Sequence, residues 1–260
     1  MFLLFLLIPL LASTIGSIVG AGGGVIIKPV LDMLGVMPVK TLSFCSGCAV
    51  LSMSVASLIR GRNNDVKLDL KASTSLATGA VFGGIIGKDL LELTANAFEN
   101  ESMLGAMQSI LLAVTMVIVI IYICIKSKVR SMNIKSALVS VVIGLLLGAI
   151  SSYVGIGGGP LNVAVLFFSF GMDAKTAAKN SIFIIVFSQL ASIFMSLFTH
   201  TVPEFSWFYL ILMSVGGILG AMLGNWISKR IDNRAVEFLL KLLTLFVAII
   251  SVINAINYLN

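Results

Sequence analysis

Residues 155–162 read Gly-Ile-Gly-Gly-Gly-Pro-Leu-Asn, "GIGGGPLN", inside a run from Ser136 to Met172 that carries no charge. Glycine costs about 1 kcal/mol and proline about 3 kcal/mol, relative to alanine, in a helix interior. Spending both in one apolar run marks a deliberate interruption. Glycine permits a sharp reversal and a close approach of another group to the backbone. Pro160 suits the first helical position, where its missing N–H would have had no intrahelical partner. The stretch therefore predicts a helix that ends, a turn, and a new short helix starting near Pro160.

A second copy of this pattern lies near the N-terminus. Aligning Gly20-Ala21-Gly22-Gly23-Gly24 with Gly155-Ile156-Gly157-Gly158-Gly159 brings Met37 onto Met172, Lys40-Thr41 onto Lys175-Thr176, Ser46 onto Ser181 and Ser57 onto Ser192. After a small offset Gly79, Gly83 and Gly87 match Gly216, Gly220 and Gly224. Chance explains one match, not the ordered set. The repeat divides the chain into a first half (1–126), a linker (127–136) and a second half (137–260).

The composition says where such halves can live. The chain is 58% hydrophobic and 11% charged, with a mean hydropathy of +1.10. A soluble domain carries roughly 25% charged residues, so this chain reads as an integral membrane protein. Its net charge of +6 is small and sits in loops, which argues against a nucleic-acid partner. The N-terminus lacks the basic n-region of a signal peptide and reads as a retained first span. A crossing helix needs about 20 mostly apolar residues. Eight runs come close: 1–19, 41–59, 72–91, 103–125, 137–154, 180–199, 205–227 and 242–258. Two shorter runs, 25–37 and 160–172, are too short to cross alone. The expected fold is an all-α polytopic membrane protein of about eight transmembrane helices plus two short broken or re-entrant helices, in two inverted-topology repeats.

The inversion comes from charge. Basic residues favour the cytoplasmic side. Segments 60–71 (Arg60, Arg62, Lys67, Lys71), 126–135 and 229–241 are basic and are placed inside. Segments 88–101 (Asp89, Glu92, Glu99, Glu101) and 200–204 are placed outside. The turn at Met37–Lys40 then lies outside and its counterpart at Met172–Lys175 inside, leaving Lys28 and Lys40 toward the outer face. Inverted repeats with interrupted helices are the architecture of secondary transporters, with the site near the midplane. Each short helix would begin near the membrane middle, beside its glycines. Two helix starts would then aim free N–H groups and positive dipole ends at one spot, an anion site that needs no buried cation.

The expected substrate-binding residues are Gly22, Gly23, Gly24, Gly157, Gly158, Gly159, Asn162, Ser46, Asn180, Ser181 and Gln189. Asn162 either contacts the ligand or caps its helix. Ser46, Asn180, Ser181 and Gln189 either face the ligand or bond a neighbouring helix. Glycines 79, 83, 87, 216, 220 and 224 read as packing residues. Lys28, Lys40, Lys175 and Lys179 either attract anions at long range or snorkel to headgroups. Cys45 and Cys48 read as small packing residues, and His200 as a loop residue. No catalytic group, metal or cofactor is called for. A Gly158→Leu change is expected to stop transport with folding nearly intact.

The pair "GAGGGVIIKP" (20–29) and "GIGGGPLNVA" (155–164) resembles the doubled motif of the TauE/SafE sulfite exporter family, also called the toluene sulfonate uptake permeases. "GMDAKTAAKNSIFIIVFSQLASI" (171–193) and "SGCAVLSMSVAS" (46–57) are similar to the family's paired helices. The resemblance covers nearly the whole chain and departs from the commoner pattern at Lys28. It implies a cytoplasmic-membrane carrier of small sulfur-containing or organic anions such as sulfite, sulfonates or sulfoacetate. Its partners would be that anion and the lipid bilayer, and a homo-oligomer is compatible with it. Apart from Asp32, the deep parts of the spans hold no carboxylate, and an inside-negative potential favours anion exit. Potential-driven export is therefore expected. Two other classes compete. A non-transporting subunit of a larger complex sits poorly with an inverted repeat. A membrane-embedded enzyme would need a nucleophile–base pair at depth, which a single loop histidine does not supply.

Overall fold

A computed structural model of the chain describes residues 2–61, 68–98 and 101–259. Arg62, Lys67 and Glu99, used above for orientation, lie outside the described residues, as does the Glu101 side chain. The described residues form helices and no strand. The first half holds α1 (Phe2–Val19), α2 (Gly24–Met33), α3 (Val39–Arg60), α4 (Leu70–Ala97) and α5 (Glu101–Ile125). The second holds α6 (Ala137–Val154), α7 (Gly159–Phe170), α8 (Ala174–Phe198), α9 (Trp207–Ser228) and α10 (Asn233–Leu259).

Seven of these, α1, α3, α5, α6, α8, α9 and α10, are long and apolar enough to cross a membrane. The remaining expected span is α4. Its 28 residues reach about 42 Å at 1.5 Å per residue, but Ser73, Thr74, Ser75, Thr78 and Lys88 dilute its apolarity. The hydroxyls of Thr74, Ser75 and Thr78 bond back to the Leu70, Lys71 and Thr74 carbonyls of their own helix, which lets even the exposed threonines sit on an apolar surface. Helices α2 and α7 are the two short pieces. The first ends at Met33 rather than Met37, because Gly35 enters the left-handed region (φ +59°) and its N–H closes back on the Asp32 carbonyl at 3.0 Å.

Each short helix closes a hairpin. The chain leaves α1 through Gly20 (φ +74°) and Gly22 (φ +68°), and α2 runs back along α1, where Ile26 and Val30 share a groove with Ile8, Leu11 and Ile15. The same turn recurs after α6, with Gly155, Gly157, Gly158 and Gly159 all at positive φ. An L-residue with a side chain rarely adopts these angles.

The inversion is visible in which helices touch. A β-carbon built on Gly216, Gly220 or Gly224 would lie 2.5, 2.2 or 2.3 Å from the carbonyl oxygen of Leu6, Leu10 or Thr14. So α9 lies parallel to α1 at backbone contact, the close approach that small residues allow in membranes. Gly79, Gly83 and Gly87 meet the carbonyls of Val141, Leu145 and Ala149 at 1.9, 2.0 and 2.2 Å in the same way, setting α4 parallel to α6. Helices related by the repeat run oppositely. Gly105 of α5 packs on Tyr258 near the end of α10, while Lys126, just past α5, meets Glu237 near the start of α10 at 3.2 Å. The halves are thus interlocked, each first helix bedded on the other half's fourth.

The bundle has two unlike ends. Lys126, Glu237 and Lys241 cluster at one of them. There too, the Lys175 N–H donates to Asn233 at 2.9 Å, and Lys71 and Lys135 line one cleft with Asp69. The three basic segments meet at this basic end. At the far end the Thr41 hydroxyl donates to the Glu204 carbonyl at 3.1 Å. Lys40, the awkward cation of the charge argument, pairs there with Glu92 at 3.6 Å.

Because a β-carbon at Gly83 would sit 2.0 Å from a backbone oxygen, Gly83→Val cannot be absorbed by a side-chain shift. We expect it to prevent recovery of folded protein, read as loss of the monodisperse peak in detergent, since overpacking of this kind costs about 1–3 kcal/mol or more.

Candidate functional site

The two glycine breaks meet. A β-carbon on Gly24 would lie 2.7 Å from the Ile156 carbonyl oxygen, and one on Gly159 would lie 3.0 Å from Val25 Cγ2 and 3.4 Å from the Ala21 carbonyl oxygen. Gly22 and Gly157 both abut the same two side chains, Val50 and Ile185. These residues sit at mid-length of α3 and α8. The breaks are therefore central along the bundle, and every residue from Gly16 to Pro29 and from Val154 to Pro160 is buried.

Two serines hold this arrangement in a matched way. Ser46 Oγ donates to the Gly155 carbonyl at 3.1 Å, and Ser181 Oγ donates to the Gly20 carbonyl at 2.6 Å. Each hydroxyl reaches from one half to the break of the other, satisfying a carbonyl that the helix end leaves without a partner. The amides of Gly22 to Val25, and of Gly157, Gly158, Gly159 and Leu161, donate to no acceptor among the described residues. A buried amide without a partner is costly, so these N–H groups are left free to donate to a bound group. Asn162, 1% exposed, stands on the first turn of α7 with its amide over Gly158. Its Oδ1 is buried without a hydrogen-bond partner among the described residues, as is Ser13 Oγ beside Gly23.

The fold brings together most of the sequence-predicted site. Gly22, Gly23, Gly24, Gly157, Gly158, Gly159, Asn162, Ser46 and Ser181 surround the meeting point. Gln189 lies a turn beyond Ile185 against Gly47, beside the breaks rather than between them. Asn180 is turned elsewhere: its Oδ1 accepts from Ser73 Oγ and from the Asp69 N–H at 3.1 Å, and its Nδ2 donates to the Thr176 carbonyl at 2.7 Å. It fastens the start of α4 to α8. One expectation needs correcting. Gly158 has φ +97°, and a β-carbon there would lie 2.4 Å from Asn162 Nδ2 and 2.8 Å from Ser151 Oγ. Gly158→Leu therefore strains the fold itself and does not isolate ligand binding.

Lys28 has a definite place. Buried at 3% exposure, its ammonium donates to Gln108 Oε1 and, at 2.6 Å, to the carbonyl of Val154, the last residue of α6. Gln108 in turn donates to the Tyr153 carbonyl at 2.6 Å. A cation at a helix C-terminus faces the negative end of the dipole, which is how the chain keeps a charge at this depth. In the repeat alignment Lys28 falls on Val163, so the charge belongs to one half only. Asp32, one turn on, accepts from the Tyr258 hydroxyl. Sequence reasoning passed over Gln108, Ser13 and Ser43. Only the repeat alignment could have flagged Ser43, which matches Ala178 beside the other break.

The family description "Sulfite exporter TauE/SafE" matches residues 5–251. The chain is similar to the protein named "Probable membrane transporter protein YunE" of Bacillus subtilis (strain 168), at 22% identity over 272 residues, covering 95% of each chain. No solved structure gives a significant match.

Proposed function

The chain belongs to the TauE/SafE sulfite exporter family, and from that premise we propose that this membrane transporter is a secondary carrier of small sulfur-containing or organic anions, of the sulfite and sulfonate type. The observation that supports the substrate charge is the contact between the two glycine breaks, whose unpartnered amides converge from oppositely directed halves. Two helix starts offer positive dipole ends, and Lys28 adds a full charge beside one of them. Ser46 and Ser181 hold the carbonyls of the breaks occupied, so that hydrogen-bond donors outnumber free acceptors there.

The basic end faces the cytoplasm of the cell membrane in this reading, and the anion leaves down the membrane potential. That potential is worth about 2.3 kcal/mol per charge per 100 mV. The test is efflux of radiolabelled sulfite, and separately methanesulfonate, from proteoliposomes holding purified protein. An inside-negative potassium diffusion potential should accelerate efflux severalfold over zero potential. Absence of efflux for both anions overturns the substrate class. Uptake that strictly requires an inward proton gradient overturns the direction and the driving force.

A further inference from the structure

The two-fold relation of the breaks also relates two polar clefts. At the basic end Ser17, Ser57, Lys179 and Asn225 line a cleft of about 40 Å³. At the far end the matching repeat positions, Ser152, Ser192, Phe44 and Lys88, line one of about 20 Å³. Each adjoins a break: Gly155 lines the far cleft, and Ala178, which touches Gly20, lines the basic one. Volumes this small hold about a water or two, so both are narrowed in this conformation.

Their chemistry differs. In the basic cleft Asn225 Nδ2 donates to Ser57 Oγ at 2.8 Å and to the Ala221 carbonyl at 2.9 Å. In the far cleft Ser152 Oγ donates to Ser192 Oγ at 2.8 Å, but two further groups have nothing. Ser43 Oγ and Gln189 Nε2 are buried, the residues being 7% and 2% exposed, and make no hydrogen bond among the described residues. Their repeat mates are Ala178 and Ser54, so the basic cleft has no counterpart of either group at those two positions, and the one carboxamide lining it, Asn225, is already hydrogen-bonded. Lys88, 7% exposed, brings an ammonium that is held by Glu92 at 2.9 Å. A donor hydroxyl, a carboxamide and an ammonium around one buried cleft fit the oxygens of a sulfonate-type anion, and a polar group left unsatisfied at such depth calls for a ligand.

We propose that the far-end cleft is an oxyanion subsite, separate from the break region, in which Gln189 and Ser43 donate to the anion beside Lys88. The anion occupies it on its way between the breaks and the far face. The inference rests on the anion-carrier reading and adds a second station to it.

The variant Gln189→Leu tests it through two readouts of opposite sign. Methanesulfonate binding is measured by isothermal titration on purified full-length protein, with thermal unfolding in the absence of anion. Because Gln189 Nε2 makes no hydrogen bond among the described residues, the leucine should leave the anion-free melting temperature unchanged or raise it, while methanesulfonate affinity falls at least tenfold. Ser43→Ala, which installs the residue found at the matching position 178, should weaken binding severalfold and serves if the leucine variant does not fold. Unchanged affinity in both variants, as when water alone fills the cleft, overturns the subsite. Lower anion-free stability with unchanged affinity assigns Gln189 a packing role and overturns it too. If the wild type binds neither methanesulfonate nor sulfite, it is the anion-carrier reading that fails.

Discussion

Asn162→Asp is expected to abolish anion transport while leaving the protein folded. The side chain lies over Gly158 at the start of α7, where the two breaks touch, and aspartate has nearly the same shape. What changes is charge. At about 4 Å and an effective dielectric of about 20, two like charges repel by roughly 4 kcal/mol, close to a thousandfold in affinity. Asn162→Leu removes only hydrogen bonding and should cost about tenfold. The measurement is the initial rate of radiolabelled sulfite efflux at pH 8, normalised to inserted protein. Wild-type rates in Asn162→Asp would mean that the anion does not pass the breaks, and the central part of the mechanism would be lost.

Lys28→Met should damage both stability and transport. It strips the donor from Gln108 Oε1 and from the Val154 carbonyl, and each buried acceptor left unmet costs about 1–3 kcal/mol. It also removes the positive charge beside the break. A unit charge about 8 Å from a bound anion contributes roughly 2 kcal/mol at an effective dielectric of about 20, or about thirtyfold. The paired variant Lys28→Met/Gln108→Leu removes the Oε1 acceptor along with the donor but also the amide that meets the Tyr153 carbonyl, so it should melt no higher than Lys28→Met and transport no better. If the double variant recovers both, Lys28 serves packing and not the anion. If Lys28→Met alone melts and transports like the wild type, the hydrogen bonds described around it do not matter to the fold.

Much of this architecture was legible because the cues are local or repeated. Apolar run lengths gave the long helices, positive-φ turns were readable from the glycine clusters, and the doubled motif gave the two-fold relation. Charge placement gave the shared end of Lys71, Lys126 and Lys175. What escaped was whatever depends on a distant partner. Gln108 sits in an ordinary apolar run, and nothing near it says that Lys28 lies across the bundle. Asn180 adjoins Ser181 in sequence, yet one faces α4 and the other the break, because neighbours on a helix are about 100° apart around its axis. Gly158 looked like a neutral place for a large side chain because the sequence gives no hint that Asn162 folds back over it. In α4, likewise, the exposed Thr74 and Thr78 lower the apolarity of the run, and only the structure shows their hydroxyls occupied by the carbonyls of Leu70 and Thr74 one turn back.

The bedding of α1 on α9 has a consequence for how the protein is made. The groove-filling glycines at 216, 220 and 224 emerge from the ribosome about two hundred residues after the helix they must grip. Until α9 emerges the first segment therefore waits in the lipid with that mating surface bare, and the hairpin at Gly20 gains the Ser181 hydrogen bond only shortly before. Final assembly is a late zippering of the N-terminal segment into an almost finished C-terminal half. A chain truncated before α9 would leave the membrane holding an unmated helix, which is the kind of exposed surface that quality-control proteases recognise.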